Sequence, residues 1–193
     1  MKTLKSWIFN YDMVATIGIE AANKPFPRIV HAHAHLFLNV KTILDIGAGR
    51  GRFAKYFLLG EYRSGGKTWR SPVRFSVEEY VAVEPYPPSC NALKKIGDPR
   101  LKILCNTWEE AKSELSERRY DVVIFWDVLM FMARPPFVVL NEVVPPTKKY
   151  FLFSLHPVRS GYLTKKDFRK ILKTLDKEMK VVAKSYLNRI YEV

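Results

Sequence analysis

The sequence predicts an α/β protein whose mostly parallel, doubly wound sheet carries helices on both faces. Short apolar runs of strand length alternate with amphipathic stretches at helical spacing along the chain. The first clear run, Ile43 to Ile46, leads straight into glycines at 47, 49 and 51 and then into a helical stretch. This succession of strand, glycine turn and helix N-terminus is a nucleotide-binding layout. Several later runs end in an acidic or polar residue, where such sheets place their ligands.

The length and composition suit a single domain spanning residues 1–193. Apolar residues make up 48% and charged residues 26%, as in ordinary globular proteins, and the sequence has no apolar run of membrane-spanning length. Asn10, Asp12 and Glu20 interrupt any signal-like segment at the start. We therefore expect a cytoplasmic protein without membrane insertion; the sequence does not indicate its oligomeric state.

The net charge of +13 narrows the choice of partners. A strongly basic surface favours nucleic acid, acidic proteins or anionic membrane surfaces. Charge alone does not choose among these partners.

Residues 1–40 precede the first core strand and predict two leading helices. Apolar residues recur at helical spacing from Leu4 to Val14, and Trp7 and Tyr11 lie on that apolar face. A break follows at residues 23–27, and a second helix is predicted from about Arg28 to Leu38.

No metal site is predicted. Of the three histidines at 31, 33 and 35, only His31 and His35 would share a helix face, and no nearby carboxylate or cysteine completes a ligand set. The two cysteines, Cys90 and Cys105, lack the paired spacing of a zinc site, and we expect both to be small buried residues.

The glycine loop excludes two common nucleotide sites. A dinucleotide fingerprint needs a glycine where Arg52 stands, and no Gly-Lys-Ser/Thr follows to make a phosphate loop. Asp45, just before the first glycine, would repel a pyrophosphate but suits a ligand that carries an amino group. A turn that serves only as a tight bend is the alternative.

The pattern Asp45-x-Gly47-x-Gly49-x-Gly51 resembles motif I of the class I S-adenosylmethionine-dependent methyltransferases. The resemblance implies that the loop, including Ala48, holds the methionine part of S-adenosylmethionine, and that Asp45 takes part in its polar contacts. It also implies a seven-stranded, mostly parallel sheet with an antiparallel last strand.

The resemblance covers a cofactor-binding core at about residues 41–193. In this family the leading helices pack beside the cofactor and help to close over it, which makes Trp7 and Tyr11 candidate lid or acceptor contacts. Plain packing on the sheet is the alternative for both.

Residues 60–79 are predicted to form an inserted loop or hairpin between the first two strands of the core. The stretch is rich in glycine, serine and charge, and a connection at this point is usually short. Long insertions often carry function, which makes Arg70 a candidate substrate contact. A solvated surface loop is the alternative.

Glu84 ends the second core strand, which begins at Tyr80. An acid at this strand end is placed to accept hydrogen bonds from both ribose hydroxyls of an adenosine. The insertion accounts for its long separation from the glycines. The alternative is a surface glutamate before the turn at Pro85.

The third strand, from Leu101 to Cys105, is followed by Asn106, Thr107 and Trp108. The resemblance implies an acid or amide here and then a residue that lies on the adenine. Asn106 fits the first role because its amide both donates and accepts; Thr107 and Trp108 are candidates for the second. Thr107 is also a candidate cap of the next helix, with Glu110 as its capping-box partner.

Residues 120–132 predict the fourth strand and the start of the next helix. They resemble the family's Asp-Val-Val…Asp-Val-Leu segment but end in Met-Phe-Met, and they lack the Asn/Asp-Pro-Pro-Tyr/Phe signature of enzymes that methylate exocyclic amino groups. Trp126 and Asp127 stand at the carboxyl end of this strand, so one of them should face the cofactor or the acceptor.

The remaining elements complete the sheet. Residues 150–155 predict a fifth strand that ends before His156, a candidate general base or a structural histidine. Residues 165–177 predict an amphipathic helix with a lysine-rich outer face, either a nucleic-acid contact or simply solvated. Residues 180–187 and 189–193 predict a closing hairpin.

Together these features predict S-adenosylmethionine-dependent methyl transfer to an oxygen or nitrogen nucleophile, with Asp127 or His156 as base where one is needed. The acceptor is left open among RNA, an acidic protein and a small molecule. A cofactor-binding regulator without catalysis, an RNA-binding module and a nicotinamide oxidoreductase are the alternatives.

Overall fold

The computed structural model describes residues 26–115, 117–129, 132, 134–155, 164–185 and 188–193. These residues form a sheet with helices on both faces. In chain order the elements are α1 (Arg28–Ala32), a 3-10 helix (Ala34–Phe37), β1 (Thr42–Ile46), α2 (Arg52–Leu59), β2 (Glu61–Ser64), β3 (Lys67–Arg70), β4 (Glu79–Val83), α3 (Pro87–Lys94), β5 (Leu101–Leu104), α4 (Trp108–Leu115), β6 (Tyr120–Trp126), α5 (Pro136–Val143), β7 (Thr147–Ser154), α6 (Lys165–Glu178), β8 (Lys180–Ser185) and β9 (Asn188–Glu192).

The main sheet has seven strands in the order β5-β4-β1-β6-β7-β9-β8. The first five strands of this order are parallel, and β9 runs antiparallel to both β7 and β8. The predicted mostly parallel sheet with an antiparallel last strand is therefore confirmed. β1 lies near the centre, where its carboxyl end meets those of β4 and β6 at one edge of the sheet.

The core consists of two apolar layers, one on each face of the sheet. Alternate residues of β1 point to opposite layers, so Ile43 packs on the side of α2 and α3 while Leu44 packs on the side of α4, α5 and α6. Because both faces are covered, the central strands are mostly apolar. The polar residues at their ends therefore mark the edge where the layers open.

Residues 61–70 of the predicted insertion form the hairpin β2–β3, in which Tyr62 pairs with Trp69. The side chain of Tyr62 is buried, and its ring centroid lies 6.2 Å from that of Phe26. The hairpin thus packs against the outer side of α2 and extends the first core layer.

Two local expectations were wrong. The helix predicted from about Arg28 to Leu38 is broken at His33, whose backbone leaves helical geometry at φ −110° and ψ 25°. The N–H of His33 still makes an i→i−4 bond to the Ile29 carbonyl oxygen, and the His33 ring lies 2.8 Å from that same oxygen. After His33 the bonds become i→i−3, as in the bond from Leu36 N–H to the His33 carbonyl. Cys105 is exposed, because it follows β5 at the open edge of the sheet, whereas Cys90 is buried.

The earlier predicted helix, with Trp7 and Tyr11, lies outside the described residues. Within the described part of the chain, no helix is both long and apolar enough to cross a bilayer.

Candidate active site

Two glycines of the loop after β1 are required by packing. Gly47 and Gly51 have φ values of +74° and +78°. A Cβ on Gly47 would lie 2.3 Å from Cγ2 of Val128, and a Cβ on Gly51 would lie 2.7 Å from side-chain carbons of Leu93 and Ile96. The N–H of Gly47 donates to the Val83 carbonyl at 2.8 Å, which fixes the loop against the end of β4.

Gly49, at the crest of the loop, is in a different environment. Its φ is +56°, yet a Cβ placed there would meet no described atom within 4 Å. The loop therefore bends as a left-handed turn and leaves open space above its crest. A ligand can approach the backbone closely at this point.

Glu84 links the loop to the end of β4. Its carboxylate is buried and accepts from the N–H of Gly49 at 2.7 Å and from the N–H of Tyr86 at 3.0 Å. Burial raises the pKa of Glu84, while these two backbone N–H groups act in the opposite direction. The side chain is thus not the exposed surface glutamate of the alternative interpretation.

Asp45 lies beneath the loop at the end of β1 and is 1% exposed. The hydroxyl of Tyr80 donates to its Oδ2 at 2.6 Å. Burial raises the pKa of Asp45 to about 7; the Tyr80 hydrogen bond and the charge of Arg52 lower it, and Glu84 adds to the rise. Asp45 is therefore close to half ionised near neutral pH.

Arg52, the first residue of α2, brings a cation among these acids. Its side chain is 20% exposed, and its guanidinium lies 3.9 Å from Oδ2 of Asp127 and 5.1 Å from the ring centroid of Phe53. Burial lowers the pKa of Arg52, and the charges of Asp127, then Tyr62, Asp45 and Tyr80, oppose that effect. The sequence alone indicates only that Arg52 breaks a dinucleotide fingerprint.

Asp127 directly follows β6 and is hydrogen-bonded to Ser154 of β7, which in turn contacts β9. It has a φ of 60° and is the only described non-glycine residue with a positive φ. Its N–H donates to the Ser154 carbonyl at 3.1 Å, and the Ser154 hydroxyl donates to its Oδ1 at 2.6 Å. That hydroxyl also lies 2.7 Å from Oδ1 of Asn188 on β9. Ser154 thus fixes the carboxylate, while Oδ1 of Asn188 is a second acceptor for the proton of the same hydroxyl. Nothing in the sequence alone points to either residue.

The side chain of Trp126 packs against other side chains and is not open to a ligand. It is buried, and its ring meets that of Phe53 edge to face, with centroids 5.5 Å apart. Of the two residues predicted at the end of β6, Asp127 is therefore the one whose side chain reaches Arg52 at the edge of the sheet.

The residues after β5 divide between the surface and the core. Asn106 is exposed. Thr107 caps α4: its N–H donates to Oε2 of Glu110 at 2.8 Å, and the Glu110 N–H donates to its hydroxyl oxygen at 3.3 Å. This is the capping box of the alternative interpretation.

Trp108 does not lie open as an adenine cover, which corrects that prediction. The residue is 2% exposed and belongs to the core layer below α4 and α5. Its indole N–H donates to Oε2 of Glu142 at 3.3 Å, and Arg134 also donates to that oxygen, at 2.7 Å. The helix therefore begins with its tryptophan turned inward.

The remaining candidates lie elsewhere. His156 is outside the described residues, as are Trp7 and Tyr11. Arg70 is exposed on the hairpin, 3.6 Å from Glu61, and lines a separate cleft of about 750 Å³ with His31 and Trp69. Within the described ranges, no group of three or more histidine, cysteine or acidic side chains is arranged to hold a metal.

Solved methyltransferase structures resemble this arrangement of strands. A S-adenosylmethionine-dependent methyltransferase from Aquifex aeolicus is 14% identical with a TM-score of 0.57, over 92% of this chain and 96% of the other. Magnesium protoporphyrin IX methyltransferase from Synechocystis PCC 6803, with bound S-adenosylmethionine, is 15% identical with a TM-score of 0.53, over 96% of this chain and 79% of the other. The 16S rRNA methylase ArmA is 16% identical with a TM-score of 0.52, over 86% and 81%.

The fold is thus that of the class I S-adenosylmethionine-dependent methyltransferases. No family model matches the sequence, and no curated protein does.

Proposed function

We propose that this chain is an S-adenosylmethionine-dependent methyltransferase that acts on an oxygen or nitrogen nucleophile. The observation that carries the proposal is the crest of the glycine loop. Gly49 has a positive φ and open space where a Cβ would stand, and its N–H is bound by the buried acid at the end of the next strand. A loop that only turned the chain would not need a buried carboxylate beside its crest.

The residues around the crest fit the parts of the cofactor. Glu84 would accept from the ribose hydroxyls, since each of its oxygens retains a lone pair beyond the backbone bonds. The loop and Asp45 would hold the methionine part, because a carboxylate at the edge of the sheet complements an ammonium group. Asn106 and Thr107 would border the adenine, and the amide of the exposed Asn106 can both donate and accept.

The cofactor supplies an already activated methyl group on its sulfonium. The work of the chain is therefore to align the nucleophile and exclude water. Where the acceptor carries a proton, Asp127 would receive it: Ser154 fixes one of its oxygens, and the other faces Arg52. His156 is the second candidate for this proton.

The basic face of α6 favours an anionic acceptor, and we take RNA as the first choice. Arg169, Lys173 and Lys177 are exposed and follow one another at four-residue intervals. They form no ion pair with a described residue and line a cleft of about 420 Å³ together with Arg189. A small-molecule acceptor would not need such a face.

One experiment tests the function and the alternatives together. Purified protein is incubated with methyl-labelled cofactor and fractionated RNA, protein and metabolite pools, and its affinity for S-adenosylhomocysteine is measured by calorimetry. We expect label in one fraction. The Gly49→Val and Glu84→Ala variants should bind S-adenosylhomocysteine at least 10-fold more weakly, through lost space and lost hydrogen bonds.

Control variants separate binding from folding. Glu84→Gln keeps the shape of the side chain and shows how much depends on the charge, and circular dichroism checks that each variant is folded. Normal affinity in both Gly49→Val and Glu84→Ala would contradict the proposed site. Tight binding of S-adenosylhomocysteine with no label in any fraction would instead support a regulator that binds the cofactor without catalysis. In a parallel titration, binding of NADH but not of S-adenosylhomocysteine would support an oxidoreductase.

A further inference from the structure

The cleft between α1 and the β2–β3 hairpin combines aromatic rings with positive charge. Its volume is about 750 Å³, and the described residues that line it are His31, Lys67, Thr68, Trp69 and Arg70. Pockets that hold small organic ligands measure roughly 300 to 1,000 Å³. We propose that this cleft binds one nucleotide of a single-stranded RNA acceptor, with the base against Trp69 and the phosphate on Lys67 and Arg70. That this RNA is the methyl acceptor rests on the proposed function.

The hairpin holds one wall of the cleft in a fixed position. β2 and β3 are joined by Gly65 and Gly66, whose φ values of +55° and +73° suit a tight two-residue hairpin turn. Tyr62 of β2 pairs with Trp69 of β3, so both side chains lie on the face that packs against the first core layer. Tyr62 is buried, whereas Trp69 is only partly buried and also lines the cleft.

His31 of α1 belongs to the opposite wall. Its Nδ1 lies 2.9 Å from the hydroxyl of the buried Tyr56. Its ring meets that of Trp69 edge to face, with centroids 5.4 Å apart and an angle of 81° between the planes. Because these contacts position both rings, a flat ligand meets surfaces that need little ordering. The base of a nucleotide is such a ligand.

The positive charge of the cleft comes from β3. The side chain of Arg70 is 78% exposed, and Lys67 is also exposed. Glu61 lies 3.6 Å from Arg70 and 2.9 Å from Arg63, but exposed ion pairs of this kind contribute little, so a phosphate can compete for the guanidinium. An acidic protein would need only the cations. Rings and cations together favour a single strand of nucleic acid.

A row of ring contacts joins the hairpin to the proposed site of methyl transfer. The ring centroids of Tyr62 and Phe26 are 6.2 Å apart, and those of Phe26 and Phe53 are 5.4 Å apart. Phe53 in turn lies 5.5 Å from Trp126, which directly precedes Asp127. The cleft is therefore near the carboxyl edge of the sheet but separate from it. It suits a nucleotide that lies a short distance along the strand from the methylated one.

The test of stacking compares two fluorescently labelled probes by anisotropy. One is a single-stranded RNA of about ten uridines, within the range of known single-strand sites, and the other is an abasic chain with the same number of phosphates. Trp69→Leu keeps an apolar side chain against the core but removes the ring. It should weaken the RNA roughly 5- to 150-fold, the effect of losing one stacked base, and leave the abasic chain within about twofold. Trp69→Phe keeps a ring and should restore most of the affinity.

The test of phosphate binding uses two arginines of the same hairpin. Arg70→Gln should lower the magnitude of the slope of log affinity against log salt by about 0.7, the loss of one phosphate contact on a single strand. Arg63→Gln is the matched control, because Arg63 is 72% exposed and contacts the same Glu61 but is not among the described residues that line the cleft. It should leave the slope unchanged.

Equal slopes in Arg63→Gln and Arg70→Gln would overturn the cleft as a phosphate contact. Equal RNA affinities in Trp69→Leu and Trp69→Phe would overturn the stacked base, and displacement of the RNA by oligoglutamate would assign the cleft to an acidic protein instead. Calorimetry with S-adenosylhomocysteine separates this proposal from the proposed function. All four variants should bind it normally, and failure of the unmodified protein to bind it would overturn the proposed function itself.

Discussion

Asp45 is the residue at which burial and function oppose each other. A carboxyl group that is 1% exposed is stable when neutral, yet a ligand with an ammonium group needs it charged. Tyr80 and Arg52 act toward the charged form, and burial outweighs them. The result is a group that titrates near neutral pH at the base of the proposed site.

This conflict predicts a pH dependence of stability. In the unfolded chain Asp45 ionises near its ordinary value of 3.8, whereas in the folded protein its pKa is about 7. Between these values the folded protein keeps a proton that the unfolded chain has lost. The free energy of unfolding should therefore fall as the pH rises through this window, by up to about 1.4 kcal/mol per pH unit.

The measurement is urea unfolding at about pH 5, 6 and 7. Asp45→Asn cannot ionise and should show a flatter dependence than the unmodified protein, so the difference between the two isolates Asp45 from Glu84 and other groups. Parallel pH profiles for the two proteins would show that Asp45 is not the titrating group.

The glycine loop is the element on which the edge of the sheet depends, and its glycines differ in function. Gly47 and Gly51 have no room for a side chain, because Val128, Leu93 and Ile96 pack against them. Gly49 has room but the same left-handed backbone. Packing therefore explains two of the positions, and the open space at the third fits the ligand approach proposed above.

A matched pair of alanine variants tests this division. Gly47→Ala adds strain at φ +74° and a contact of 2.3 Å with Val128, so we expect it to lower the free energy of unfolding by about 2 to 4 kcal/mol. Gly49→Ala adds strain alone, about 1 kcal/mol. Urea denaturation measures both, and equal losses would refute the assigned difference between the two positions.

At the scale of secondary structure, the sequence predicts helices and strands better than it predicts contacts between side chains. The strands around β1 are predictable because a strand covered on both faces is mostly apolar, and the polar residue at its end then marks the edge of the sheet. Glu84 was identified in this way. Arg52, Ser154 and Asn188 were not, because their contacts join residues that lie far apart in the chain. The inward turn of Trp108 depends on Glu142 of another helix, which no local pattern reveals.

At the scale of the whole molecule, charge is the strongest feature. The chain carries 32 lysines and arginines against 19 acids. The exposed face of α6 contributes three cations at one-turn spacing, about 6 Å apart along the helix. A strand of RNA presents its phosphates in a similar regular row, so the face is suited to repeated phosphate contacts.

Reversing three of the positive charges of α6 should weaken RNA binding. With Arg169→Glu, Lys173→Glu and Lys177→Glu combined, we expect the slope of log affinity against log salt to fall in magnitude by about 2, the loss of three phosphate contacts on a single strand. Fluorescence anisotropy at several salt concentrations measures the slope, and S-adenosylhomocysteine affinity should stay unchanged.

The matched control reverses Arg74, Lys94 and Lys95, which are also exposed but lie on or beside the elements of the opposite face. It changes the net charge by the same amount. An equal effect of both triple variants would mean that RNA responds to total charge and not to α6. A loss of transfer to an acidic protein in the α6 variant would assign the face to that acceptor instead.

The strand order also affects how this protein folds while it is being synthesised. Among the described strands of the main sheet, β1 is synthesised first, yet one of its two neighbours is β6, so that Ile43 pairs with Val122 and Leu44 with Val123. Such distant pairings fold slowly because a long loop must close before they form. On the ribosome, the edge of β1 that pairs with β6 stays unpaired at least until Phe125 has been synthesised. Translation speed sets the length of that interval, during which an unpaired apolar strand edge is prone to aggregation.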